Sequence, residues 1–211
     1  MISTWTGPEF DLVESLTWRI RLAELGQIHR GWWPDMPSQR ALRRHLCRLR
    51  KAKLLFRTFI NVCPLPVIRS PLIAWEPNVT DPCFERVRRQ IRGRWLSPAQ
   101  PTEVYWASPQ AANLFGSAAG ELPPLSHREH DLLLAEVYVF YRLRRPQLAR
   151  RWAGEDALPK AGYRIKNPDA FLLDDQGQPL RIIESSGHYS MKQIQSFHEH
   201  CAENNLPYEL W

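Results

Sequence analysis

Apolar positions recur along this chain with two different periods, and the switches between them outline its elements. Within residues 11–31, Leu12, Leu16 and Ile20 share one helical face and Leu22, Leu25 and Ile28 another. This predicts two short helices, with Gly26 and Gly31 as breakers. After Trp32-Trp33-Pro34, Ser38 stands where a cap is needed, and Leu42, Leu46 and Leu49 recur at helical spacing. A third helix is expected over 38–55. Segments 54–62 and 71–75 then read as strands bracketing a proline-rich turn, and Phe84, Val87, Ile91 and Trp95 form one stripe of a helix over 81–95.

The second half begins after the Pro-rich break LSPAQPTE, with a short strand at 104–106 and a small helix at 109–115. From residue 125 a long helix is apolar nearly all round its middle, through Leu132, Leu133, Val137, Tyr138, Phe140, Tyr141 and Leu143, which predicts burial against a sheet. Two apolar runs, 169–173 and 180–184, flank a turn rich in Asp, Gly and Pro and predict an antiparallel hairpin. A helix over 190–204, with Ile194, Phe197 and Cys201 inward, leads to a last strand from 207 to 211. The expected class is mixed, α+β or α/β. Residues 1–97 carry three helices and a two-stranded ribbon, the order of a winged helix-turn-helix, and residues 98–211 form a second unit, with the boundary placed between 97 and 121.

Charge sharpens this division. The formal net charge is +6, but residues 1–97 carry about +9 and residues 98–211 about −3. The third helix holds Arg40, Arg43, Arg44, Arg48, Arg50 and Lys51 outside its leucine stripe, and Arg57 follows on the ribbon. Such a helix in third position predicts that double-stranded DNA is the partner, with Arg40, Arg43, Arg44, Arg48, Lys51 and Arg57 as contacts. Arg86, Arg88, Arg89, Arg92 and Arg94 make a second basic surface, which either tracks a DNA backbone or packs the ribbon. Proteins of this kind often pair on two half-sites, so a homodimer is expected. Cys47, Cys63, Cys83 and Cys201 include no C-x-x-C pair, which argues against a zinc ribbon and for buried thiols in a reducing compartment. No 18-residue apolar run and no basic-then-apolar N-terminus is present, so a soluble, cytoplasmic protein without a membrane partner is expected.

The hairpin carries the candidate chemistry. Asp169 precedes its first strand and Glu184 closes its second, so antiparallel pairing brings both carboxylates to one sheet edge. Two carboxylates at one edge suit a hard divalent cation such as Mg²⁺. The long helix opens with His127-Arg128-Glu129-His130-Asp131. Glu129 or Glu136 is the candidate third carboxylate, while Glu129 and Asp131 also suit the helix dipole; the two histidines cap, coordinate or do neither.

Pro168-Asp169 followed by Glu184-x-Ser186 resembles the PD-(D/E)XK nuclease superfamily, whose αβ(β)αβ core has the same element order. Ser186 stands where that superfamily has lysine, and Lys192, then Lys166, are the nearest replacements. With the ribbon, the segment Val104-Tyr105-Trp106 through 109–115, and the helix start at 127–131, the chain resembles the bacterial replication-relaxation family. That resemblance implies a winged helix followed by a degenerate restriction-endonuclease-like domain. It implies a DNA-binding accessory or regulatory factor of plasmid or mobile-element replication or transfer, with a replication or transfer protein as a further partner. The alternative it carries is a Mg²⁺-dependent DNA endonuclease. There Asp169, Glu184 and Lys192 are the catalytic set, and Asp169, Glu184 and Glu129 the metal set.

Overall fold

The computed structural model describes residues 6–157 and 168–211. Helix α1 (Gly7–Trp18) starts at Thr6, whose backbone N–H donates to the Glu9 carboxylate at 3.0 Å and closes a capping box. Leu12, Val13 and Leu16 bury its inner face. The second expected helix arrives in two parts, a two-residue strand β1 (Ala23–Glu24) and α2 (Leu25–Trp32). Helix α3 (Gln39–Lys51) follows, with Leu42, Leu46 and Leu49 buried. Lys53 ends it in the left-handed region (φ 58°), and the Leu54 N–H returns to the Leu49 carbonyl at 3.0 Å. The Ser38 hydroxyl accepts the Ala41 N–H at 3.2 Å. Ser38→Ala therefore lowers the unfolding free energy by about 1 kcal/mol, read as a lower urea midpoint at unchanged slope.

Strand β2 (Leu55–Val62) departs from the expected ribbon. The segment at 71–75 is a strand, β3 (Ile73–Trp75), but it does not pair with β2. The chain instead runs through α4 (Phe84–Arg94) and returns as β4 (Gln100–Ala107), which pairs antiparallel with β2 from Leu55↔Ala107 to Val62↔Gln100. The other edge of β4 takes β1, giving the order β1-β4-β2. Pro64, Pro66 and Pro71 lack the N–H groups that a ladder needs, which disfavours a hairpin between β2 and β3. β4 offers a partner for every residue of β2.

The remaining elements are α5 (Pro109–Phe115), α6 (Arg128–Arg144), α7 (Pro146–Ala149), β5 (Trp152–Gly154), β6 (Ala170–Leu173), β7 (Pro179–Glu184), α8 (Met191–Glu203) and β8 (Tyr208–Leu210). They build a second sheet of order β3-β8-β7-β6-β5. β5, β6 and β7 run antiparallel in sequence, and β8 lies parallel to β7 after the α8 crossover. Gly154 is required by close packing, since a Cβ there would lie 2.6 Å from the Arg19 carbonyl oxygen.

Side-chain alternation divides the second sheet between two cores. Ile183, Ala170 and Leu172 join α6 and the first three helices, whereas Ile182, Tyr208 and Leu210 join α8 and α4. The first of these cores is continuous from Leu12 and Leu46 to Tyr138 and Trp211. Helix α4 packs its Val87 and Ile91 with β3 and α8, so of the two strands expected to form the ribbon it packs the one at 71–75 and not β2. All four cysteines are free; only Cys201 is buried and Cys83 is exposed, so the expected burial of thiols holds for Cys201 alone.

Candidate functional site

The hairpin of β6 and β7 pairs Ala170 with Ile183, so Asp169 and Glu184 meet at one end of it. Both are buried, Asp169 at 4% exposure and Glu184 at 1%. Their linkage is direct: the Asp169 backbone N–H donates to Glu184 Oε2 at 3.2 Å. The Ser185 N–H donates to Asp169 Oδ2 at 2.7 Å, and the Tyr189 hydroxyl donates to Glu184 Oε1. Burial, then the Glu184 carboxylate, raises the Tyr189 phenol well above its ordinary range, so it stays a donor.

The third member of the cluster is His130, from the first turn of α6. Its Nε2 lies 2.8 Å from Asp169 Oδ2 and its Nδ1 lies 3.2 Å from Asp131 Oδ1. Burial opposes its charge, but hydrogen bonds to Asp131 and Asp169 outweigh that and push the imidazole up to about 10. His130 is therefore an imidazolium at neutral pH, with both ring nitrogens donating. Beside it lies a cavity of about 20 Å³, lined in part by Asp131, Asp169 and Glu155, with room for one water-sized molecule.

Neither expected helix-borne glutamate joins this cluster. Glu129 accepts from the Cys63 backbone N–H at 2.7 Å and from His188 at 3.3 Å. Glu136 pairs with Arg30 at 2.6 Å and accepts from Gln27, tying α6 to α2. Ser186 is buried and its hydroxyl donates to the Trp211 carbonyl, so it points to the chain's last residue rather than to a reacting group. Lys192 is exposed in the first turn of α8 with no ion pair to Asp169 or Glu184. Lys166 lies outside the described residues. His130 was visible in the sequence without an assigned role, and Tyr189 carried no sequence signal.

Coordination of Mg²⁺ requires carboxylate oxygens turned to the cation. Here Glu184 receives a donor on each oxygen and Asp169 Oδ2 receives two, so both carboxylates are held in place by N–H and O–H donors. Among the described residues no group of three or more His, Cys, Asp or Glu side chains is arranged to hold a metal. One oxygen is left over: Asp131 Oδ2 is buried with no hydrogen-bond partner among the described residues.

The expected DNA contacts on α3 and β2 fall into two groups. Arg43 and Arg57 both meet the buried Glu103, at 2.8 and 3.3 Å, and Arg48 meets Glu9 at 2.7 Å. These three are engaged with the fold. Arg40, Arg44 and Lys51 are exposed and have no ion pair among the described residues. At about 100° per residue they lie within about 40° of one another, opposite the buried Leu42, Leu46 and Leu49.

Compared with family models, curated proteins and solved structures, the chain has no match. Among the described residues no helix is long and apolar enough to cross a membrane.

Proposed function

We propose that the chain binds double-stranded DNA through α3 and carries a degenerate nuclease-like unit. Its role is then that of an accessory or regulatory factor in replication or transfer of a plasmid or mobile element, acting in the cytoplasm. The observation that carries the DNA reading is the unpaired Arg40, Arg44 and Lys51 stripe on the outer face of the third helix. The β1-β4-β2 order of the sheet behind it supports a winged-helix reading in which β2 and β4 are the ribbon. A winged helix would seat α3 in the major groove and the ribbon on the neighbouring backbone.

Degeneracy is supported by the state of the carboxylates. The nuclease-like reading is supported by the β5-β6-β7 meander, the α8 crossover and the parallel β8, with Asp169 and Glu184 at one end of the β6–β7 hairpin. A protonated His130 sits on Asp169 where a nuclease needs a metal, and Ser186 supplies no cation. The second reading, a Mg²⁺-dependent endonuclease, is favoured by one feature, the unpartnered Asp131 Oδ2 beside the cavity.

Titration of duplex DNA at two salt concentrations, in EDTA and then in Mg²⁺, separates the readings. Retardation that weakens steeply with salt, with intact DNA after Mg²⁺, is the expected result. Cleavage that appears with Mg²⁺ and is lost in Asp169→Ala would instead establish the nuclease. Absence of any salt-dependent binding ends the DNA reading.

A further inference from the structure

A second concave surface lies apart from the carboxylate cluster, between segment 67–72 and α4, with a volume of about 320 Å³. Arg86, Gln90 and Arg94 line it at intervals of four along α4 and so share one face of that helix. Arg69 and Ser70 face them from the other segment, and among the described residues no aspartate or glutamate lines the pocket. Arg69, Arg86 and Arg94 have no ion pair among the described residues, unlike Arg43, Arg48 and Arg57, each of which meets a carboxylate.

Arg94 makes the pocket more than a solvated basic face. Its Nη1 is buried and has no hydrogen-bond partner among the described residues. Burial holds its guanidinium below the usual arginine range. A buried donor without an acceptor is costly, and three like charges around one concavity repel. An anion rich in acceptor oxygens relieves both.

We infer that this pocket binds a terminal phosphate of a nucleic-acid strand, with Arg69, Arg86 and Arg94 as the donors. The inference rests on the DNA-binding reading given above. A phosphomonoester carries three acceptor oxygens and nearly two negative charges near neutral pH, and a mid-strand phosphodiester has fewer of both. The pocket is also large enough to admit part of the attached sugar. One residue beyond Arg94 the chain also touches the loop that follows Glu184. Trp95, next to Arg94, donates its Nε1–H to the Gly187 carbonyl at 2.8 Å and packs on the His188 ring at 4.9 Å. Gly187 and His188 belong to the loop between Glu184 and Tyr189, so α4 connects the pocket residue Arg94 to that loop through the neighbouring Trp95.

The test uses the full chain in EDTA, with fluorescence anisotropy on one duplex bearing either 5′-phosphates or 5′-hydroxyls. Wild type is expected to bind the phosphorylated ends about tenfold more tightly, the equivalent of about one charge-assisted hydrogen bond. Arg86→Gln and Arg94→Gln should erase that preference and leave the affinity for hydroxyl ends unchanged. Arg86 is exposed, so its variant keeps the experiment readable if Arg94→Gln fails to fold. Equal binding of both ends by wild type overturns the pocket and leaves the DNA reading intact. If no duplex binds, the DNA reading fails, and calorimetry with thymidine monophosphate decides the rest. Heat that Arg86→Gln removes would assign the pocket to free nucleotides and reject the strand end; no heat rejects a phosphate site altogether.

Discussion

Replacing Arg40, Arg44 and Lys51 together with glutamine lowers affinity for duplex DNA by two to three orders of magnitude, about tenfold for each lost phosphate contact. It also flattens the dependence of log K on log salt by about 2.7, the contribution of three released counterions. The three side chains are exposed and have no ion pair among the described residues, so thermal stability stays within about 0.5 kcal/mol of wild type. Arg43→Gln behaves in the opposite way. Arg43 is the 2.8 Å partner of Glu103, which is 7% exposed, so its loss costs about 1 kcal/mol of stability. Anisotropy titrations at several salt concentrations and a denaturant series measure the two effects. A triple variant that binds DNA like wild type would remove α3 as the contact surface.

His130→Ala should destabilise the protein by about 3 kcal/mol, because it leaves Asp169 and Asp131 buried without their shared cation. The same residue sets a pH dependence. Its folded value of about 10 lies above the unfolded value of 6.5, so its contribution is complete below pH 6.5. Between those values the unfolded chain gives up a proton that the folded chain keeps, and stability falls as pH rises. Above pH 10 the contribution is gone. The decline across this window is on the order of 5 kcal/mol in wild type and nearly absent in His130→Ala. Guanidinium unfolding from pH 6 to pH 10 on both proteins reads the difference, which cancels the ionisation of Tyr189 and Cys201 common to both. Parallel pH profiles would mean that His130 is not an imidazolium in the folded state.

Much of the local architecture follows from residue periodicity. The two apolar runs and the Asp-Gly-Pro turn between them specify the β6–β7 hairpin, and pairing then carries Asp169 and Glu184 to one end. The α3 stripe is equally local. Leucines at 42, 46 and 49 determine which face is buried, and the same periodicity turns Arg40, Arg44 and Lys51 outward. A hairpin register and a helical phase need information from only a few neighbouring residues.

Partners distant in sequence were decided by the tertiary structure. β2 reads as half of a ribbon, but its mate is β4, beyond an excursion that gives β3 and α4 to the other sheet. Competing apolar strands offer similar local signals, and only the whole packing arrangement selects between them. Which arginines of α3 and β2 are paired within the fold depended on Glu9 and on Glu103, which β4 brings between Arg43 and Arg57. The identity of the third group at the carboxylates depended on the rotation of α6. That helix is apolar nearly all round, so its sequence does not reveal which of Glu129, His130 and Asp131 turns to the hairpin. Packing settles it: His130 falls on the face that carries Leu134, Val137 and Tyr141, while Glu129 is turned toward Cys63 and Glu136 toward Arg30. The sequence by itself determined the hairpin, the capped basic helix and the two acidic hairpin ends, because short-range periodicity encodes them. The tertiary structure alone decided that a histidine, not a glutamate, completes the cluster, because a uniformly apolar helix acquires its rotation only from what packs around it.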